Sequence, residues 1–172
     1  MPVALYAGSF DPVHLGHLGI IERVVPIFQE VVVAVVANPK KAGGMFTIDE
    51  RVRFLTRATA HLPTVRARHF EGLTVDLARA EGAHVLVRAA HKDTADELSM
   101  AAMNLITAEI PTILVPADQL TRTISSSLVR QLVDAGQIAA ARELVPACVR
   151  RALADVAARA RSASGSYHGG VE

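Results

Sequence analysis

The sequence has no tryptophan, aromatic residues make up only 4% of it, and Cys148 is its single cysteine. With so few rings, the core behind a 51% hydrophobic content must be assembled mainly from Val, Leu, Ile and Ala. That choice suits buried parallel strands flanked by Ala-rich helices. Cys148 has no partner for an intramolecular disulfide, which fits a reducing compartment, and its apolar, helix-like surroundings mark it as a small core residue. Excess charge is missing too: 18 basic residues against 17 acidic leave a net charge of +1. This balance removes the electrostatic case for a nucleic-acid or membrane-surface protein and leaves a small anionic ligand open. The longest apolar run, Val31 to Ala37, is too short to span a bilayer as a helix. The N-terminus has no basic region followed by an apolar run and a cleavage site. A cytoplasmic protein with neither membrane nor nucleic-acid partners is expected.

At 172 residues the chain can bury one sizeable core but not two. A single domain is expected over residues 1–161, followed by a Ser/Gly-rich, disordered tail over 162–172. Val3 to Tyr6 is apolar and runs straight into Gly8, Asp11 and Pro12, the pattern of a buried strand opening into a loop. Leu18, Ile21, Val24, Val25 and Phe28 then recur at helical spacing, predicting a helix over Leu15 to Phe28. Val31 to Val36 is almost wholly β-branched and unbroken, a strand covered on both faces. Thr47 and Glu50 have the form of a capping box ahead of a second helix. Further strands are expected at Val65 to Phe70, Val85 to Val87 and Thr112 to Val115, with helices at Leu73 to Ala80 and Ala95 to Ala108. From Ser125 the pattern is helical only, over Ser125 to Val133, Ile138 to Leu144 and Val149 to Ala160. The whole is an α/β, Rossmann-like fold: a five-stranded parallel sheet with flanking helices and a helical C-terminal part.

The chemistry concentrates in Gly8-Ser9-Phe10-Asp11-Pro12-Val13-His14-Leu15-Gly16-His17, between the first strand and the first helix. In an open parallel sheet ligands bind beyond the carboxyl ends of the strands, where helix N-termini offer free N–H groups to phosphates. His14 and His17 stand at a spacing that puts both on one side of the first helical turn. Gly8 and Gly16 permit close backbone approach to a ligand. Two imidazoles beside a phosphate can donate hydrogen bonds and, when protonated, offset charge at an attacked phosphorus. Structural zinc is disfavoured because the HExxH glutamate and any Cys or carboxylate cluster are missing, and neither a P-loop nor a GxGxxG fingerprint is present.

Three further stretches could meet phosphates. Lys40-Lys41, in a basic loop after the second strand, offer mobile ammonium groups. Arg88 ends the apolar run Val85-Leu86-Val87 and needs either an anion or an internal ion pair. Ser125, Ser126 and Ser127, within Thr123 to Arg130, open a helix and could cap it, bind a triphosphate, or both.

Together these stretches resemble the HxGH nucleotidyltransferase superfamily and, within it, the phosphopantetheine adenylyltransferase family. The likeness covers about Val3 to Leu153 and includes GSFDPVHLGH, ISSSLVR, Met45 to Arg51, Gly72-Leu73 and Val85 to Arg88. The resemblance implies transfer of AMP from ATP to 4′-phosphopantetheine, giving dephospho-coenzyme A and pyrophosphate, with Mg2+ carried on the nucleotide phosphates. It implies that His17 and Lys41 stabilise the α-phosphate as it becomes pentacoordinate. Gly8, Ser9, Phe10, His14, Arg88, His91, Glu97 and Ser125 to Ser127 would meet the nucleotide, with His91 or Lys92 standing in for a charge the family carries near that point. Ser9, Lys41, Leu73, Thr74, Arg88 and Asn104 would meet the acceptor. A homo-oligomer, the hexamer of the family, is also implied. Two stretches depart from the family pattern: Ala89-Ala90-His91-Lys92-Asp93 after Arg88, and Thr121-Arg122-Thr123 before the serines. They keep open a different phosphorylated acceptor, the use of CTP or another nucleoside triphosphate, or a non-catalytic nucleotide-binding module.

Overall fold

The computed structural model describes residues 2–36, 44–90 and 94–165. Strand β1 (Val3–Gly8) leads into helix α1 (Leu15–Val24), β2 (Glu30–Val36) and α2 (Ile48–Ala58). They are followed by β3 (Val65–Phe70), α3 (Thr74–Ala80), β4 (Val85–Ala90), α4 (Thr94–Ala108) and β5 (Thr112–Pro116). Helices α5 (Ser126–Asp134), α6 (Ile138–Glu143) and α7 (Ala147–Gly165) come last. The strands form one sheet in the order β3-β2-β1-β4-β5, with every pairing parallel.

Why the sheet takes this form is visible in β2. Val31, Val32, Val33, Ala34 and Val35 are all fully buried, and successive side chains point to opposite faces. Val31, Val33 and Val35 join Ala4, Tyr6, Val24, Leu55, Val129 and Leu153 in one cluster. Val32 and Ala34 join Leu5, Ala7, Leu77, Leu86 and Ile110 in the other. A strand with helices on both faces has no polar side to show, hence the unbroken β-branched run. Each such valine contributes roughly 1.5–3 kcal/mol by leaving water.

Helix α2 begins as its capping box requires. The Thr47 hydroxyl accepts from the Glu50 N–H at 3.2 Å, and the Glu50 carboxylate accepts from the Thr47 N–H at 2.9 Å. Helix α1 stops at Val24 rather than Phe28, because Pro26 has no N–H to continue the ladder; Phe28 still packs into the core. Strand β4 runs past Val87 to Ala90 and so takes Arg88 inside its length. Helix α7 continues past Ser162 to Gly165, so the first part of the stretch expected to be disordered is helical.

Chain order and sheet order reverse between β1 and β4, since β2 lies on one side of β1 and β4 on the other. The connections leaving these two strands diverge and open a crevice at their carboxyl ends. Among the described residues no helix is long and apolar enough to cross a membrane.

Candidate active site

At the end of β1 the chain turns through Phe10, whose φ of 46° lies in the left-handed region, and a cis bond between Asp11 and Pro12. It reaches His14 in extended conformation as the N-cap of α1. The rings of His14 and His17 stack at 3.7 Å with 25° between their planes. The His14 N–H donates to Nδ1 of His17 at 3.3 Å. With Nδ1 acting as acceptor, a neutral His17 ring carries its proton on Nε2 and can donate from there. Phe10 meets His17 edge-on at 4.8 Å and Tyr6 meets Phe10 in the same manner at 5.4 Å. A Cβ on Gly16 would stand 3.0 Å from the His14 ring and 3.3 Å from the Thr121 carbonyl. Glycine at that position thus lets both the ring and the 121–126 segment close onto α1.

These groups share a cavity of about 160 Å³, lined by Tyr6, His14, His17, Thr121, Ser125 and Ser126 among others. The two sequence motifs, far apart in the chain, therefore meet at the N-termini of α1 and α5. The serine hydroxyls have partners within the protein. Ser125 caps α5 by accepting from the Leu128 N–H at 3.1 Å. Ser126 donates to the Pro12 carbonyl at 2.9 Å, and Ser127 accepts from Arg130 at 3.1 Å. The donors an anion would find here are chiefly the first-turn amides of α5, which a helix leaves without intrahelical partners.

Arg88 and Glu97 form a two-pronged ion pair, Nε to Oε2 at 2.7 Å and Nη2 to Oε1 at 2.8 Å. Arg88 also donates to the Ala7 carbonyl at 3.4 Å. The Glu97 hydrogen bond raises the Arg88 pKa further, against the opposing effect of burial. Of the two sequence alternatives for Arg88, the internal ion pair is the one formed, inside β4 rather than at its end. Arg88 belongs to a second, smaller cavity of about 40 Å³, with Thr74, Met100, Asn104 and Thr112. Ala89, its neighbour on β4, lines the histidine cavity instead, so the two cavities flank the end of the sheet.

Thr74, Arg88 and Asn104, three of the residues expected at the acceptor, line one cavity. Leu73 is two-thirds exposed at the N-cap of α3 and does not line that cavity. Ser9 is exposed, and its carbonyl accepts from Arg51 at 3.3 Å. Gly8 ends β1. Lys40, Lys41, His91 and Lys92 lie outside the described residues.

Sequence reasoning passed over Asp11, Arg51, Arg130, Tyr6 and Thr121. Asp11 and Arg51 are almost fully buried, yet a loop carboxylate and a helical arginine read as solvated groups until their partners are known. Tyr6 stood in plain view as the last residue of an apolar run.

Residues 5–132 match the family model described as Cytidylyltransferase-like. A phosphopantetheine adenylyltransferase from Heliobacterium modesticaldum is 42% identical over 139 residues, covering 79% of this chain and 82% of that protein. Another, from Thermosynechococcus vestitus, is 41% identical over 154 residues, covering 88% and 90%. The chain belongs to the cytidylyltransferase-like phosphopantetheine adenylyltransferase family. A solved structure from Vibrio parahaemolyticus, assigned as a nicotinate-nucleotide adenylyltransferase, superposes with a TM-score of 0.61. It covers 89% of this chain and 99% of its own at 14% identity, a likeness of fold alone. The five-stranded parallel sheet with flanking helices is the fold that the resemblance implied.

Proposed function

We propose that this chain transfers AMP from ATP to 4′-phosphopantetheine, forming dephospho-coenzyme A and pyrophosphate. The observation that carries the proposal is the His14–His17 stack facing the same cavity as the N-terminus of α5. An oxygen of the acceptor phosphate attacks the α-phosphorus in line. The new P–O bond forms as the bond to the β-phosphate oxygen breaks, and pyrophosphate leaves with that electron pair. No covalent enzyme intermediate is needed, so positioning and charge stabilisation carry the rate.

In this reading His17 donates to the α-phosphate, Lys41 adds a positive charge there, and His14 and the α5 amides receive the β- and γ-phosphates. Gly8, Ser9 and Phe10 shape the loop beneath the nucleotide. Thr74, Arg88 and Asn104, gathered in the neighbouring cavity, take the acceptor, with Ser9 and Leu73 at its edge. Glu97 and His91 complete the nucleotide contacts. Arg88 would share its guanidinium between Glu97 and an incoming phosphate. Magnesium would accompany the triphosphate and offset its charge. Among the described residues no three His, Cys, Asp or Glu side chains are grouped to hold an ion.

The same reading extends to a cytoplasmic homo-oligomer, with a hexamer as the expected form. Leu98, Met100, Met103, Leu105 and Ile106 on α4 are all more than half exposed, more apolar surface than a solvated helix ordinarily carries.

The test is pyrophosphate release across a panel of ATP, CTP and other nucleoside triphosphates against phosphorylated acceptors. Preference for ATP with 4′-phosphopantetheine is expected. No release from that pair by folded protein would end the proposal, and turnover with another pair would reassign the acceptor or the base.

A further inference from the structure

The loop that leads through His14 into α1 is anchored by an ion pair buried outside the histidine cavity. Asp11 is 6% exposed and Arg51 8%, and they approach to 3.3 Å. The Asp11 carboxylate also accepts from the backbone N–H groups of Met45 at 2.9 Å and Phe46 at 3.0 Å. Arg51 donates through Nε to the Phe46 carbonyl at 2.9 Å and through Nη1 to the Ser9 carbonyl at 3.3 Å. The backbone groups held in this way belong to two loops only: the one that follows β1 and carries His14, and the one that enters α2. Gly44 lies directly over the pair. A Cβ there would collide with Arg51 Nη2 and stand 2.7 Å from Asp11 Oδ2.

A buried ion pair adds little stability over apolar side chains of the same volume. What it supplies, and they cannot, is direction: charge-assisted hydrogen bonds fix one backbone against another. Asp11 precedes His14 by three residues, and Phe10, beside it, packs edge-on against His17. A shift at the joint therefore reaches both imidazoles through a short, packed path.

We infer that Asp11 and Arg51 are positioning residues, a buried joint that locks the histidine loop to the loop entering α2 and sets where the His14–His17 stack stands, with Gly44 leaving the room the joint needs. The inference rests on the transferase reading of the cavity. A displacement on the order of 1 Å at a reacting centre can cost about 100-fold in rate, so the joint governs turnover without touching substrate.

Two variants test it, Gly44→Ala and the double variant Asp11→Asn/Arg51→Met, which removes both buried charges together. Each is measured for kcat and KM with ATP and 4′-phosphopantetheine, for thermal unfolding, and for the Cε1–H resonances of His14 and His17, which report the ring stack. The expected result is folded protein with kcat lowered about 10-fold or more, KM within about threefold of wild type, and displaced histidine resonances. Wild-type kcat and unmoved resonances in a folded variant would overturn the inference. If Gly44→Ala does not fold, the double variant decides alone, and full turnover in it would show the pair to be structural only. Absence of turnover in the wild type would instead remove the proposed reaction, while the resonances still decide the joint.

Discussion

His17 combines three constraints in one ring: it accepts the His14 N–H, stacks on His14 and meets the edge of Phe10. In the proposed reaction its remaining nitrogen would donate to the α-phosphate. His17→Ala should lower kcat by about 100-fold to 1,000-fold, the usual cost of one such donor, while the unfolding temperature stays near wild type. Steady-state kinetics alongside a thermal melt check this, and unchanged kcat would remove the role. Tyr6 gives a pH prediction. Burial pushes its hydroxyl pKa well above the ordinary tyrosine range, opposed by the Arg88 charge. The unfolded chain releases that proton near about pH 10, and the folded chain holds it. This contribution to stability is therefore intact below that pH and is lost as the pH climbs toward the folded value, at up to about 1.4 kcal/mol per pH unit. Urea midpoints for Tyr6→Phe should fall less steeply above about pH 10 than those of wild type; parallel curves would refute the assignment.

Helix starts decide much of what the elements do. Helix α2 is held by its capping box, and Thr47→Ala should destabilise the protein by about 1 kcal/mol, read as a lower denaturant midpoint with an unchanged slope. The start of α5 is tied both to itself and to the histidine loop, through Ser125, Ser126 and the Arg130 bond to the Asp11 carbonyl. The α2 box was legible from Thr47 and Glu50 because its partners are three residues apart. The ties from α5 were not, because Ser126 and Pro12 are 114 residues apart in sequence. The serines could be read as caps or phosphate ligands, and only the fold shows that each hydroxyl has a protein partner. The end of α1 turns on a local signal that outweighs periodicity: Phe28 keeps the helical spacing and is buried, but Pro26 breaks the helix before it.

At the scale of the molecule, the C-terminal helices close one face of the sheet. Leu153 on α7 is fully buried in the cluster that includes Val33 and Val129. Leu153→Ala should cost about 2–5 kcal/mol, since the site loses transfer energy and keeps part of the cavity; chemical denaturation measures it. For the proposed hexamer, sedimentation should give a species of six chain masses, and a monomer would remove that part of the proposal.

Short-range pattern was enough to establish the α/β class, the five strands, most element boundaries and the family signatures, because burial on two faces, capping and helical periodicity are written in neighbouring residues. It also located the histidine pair, whose spacing and flanking glycine are local facts. Tertiary structure alone decided that Arg88 is paired with Glu97, that the Ser126 hydroxyl donates to the Pro12 carbonyl, and that Asp11 and Arg51 meet beneath Gly44. Those outcomes depend on which distant groups share a low-dielectric space, and charge, hydrogen bonding and exclusion of a Cβ are properties of that space rather than of any one stretch of chain.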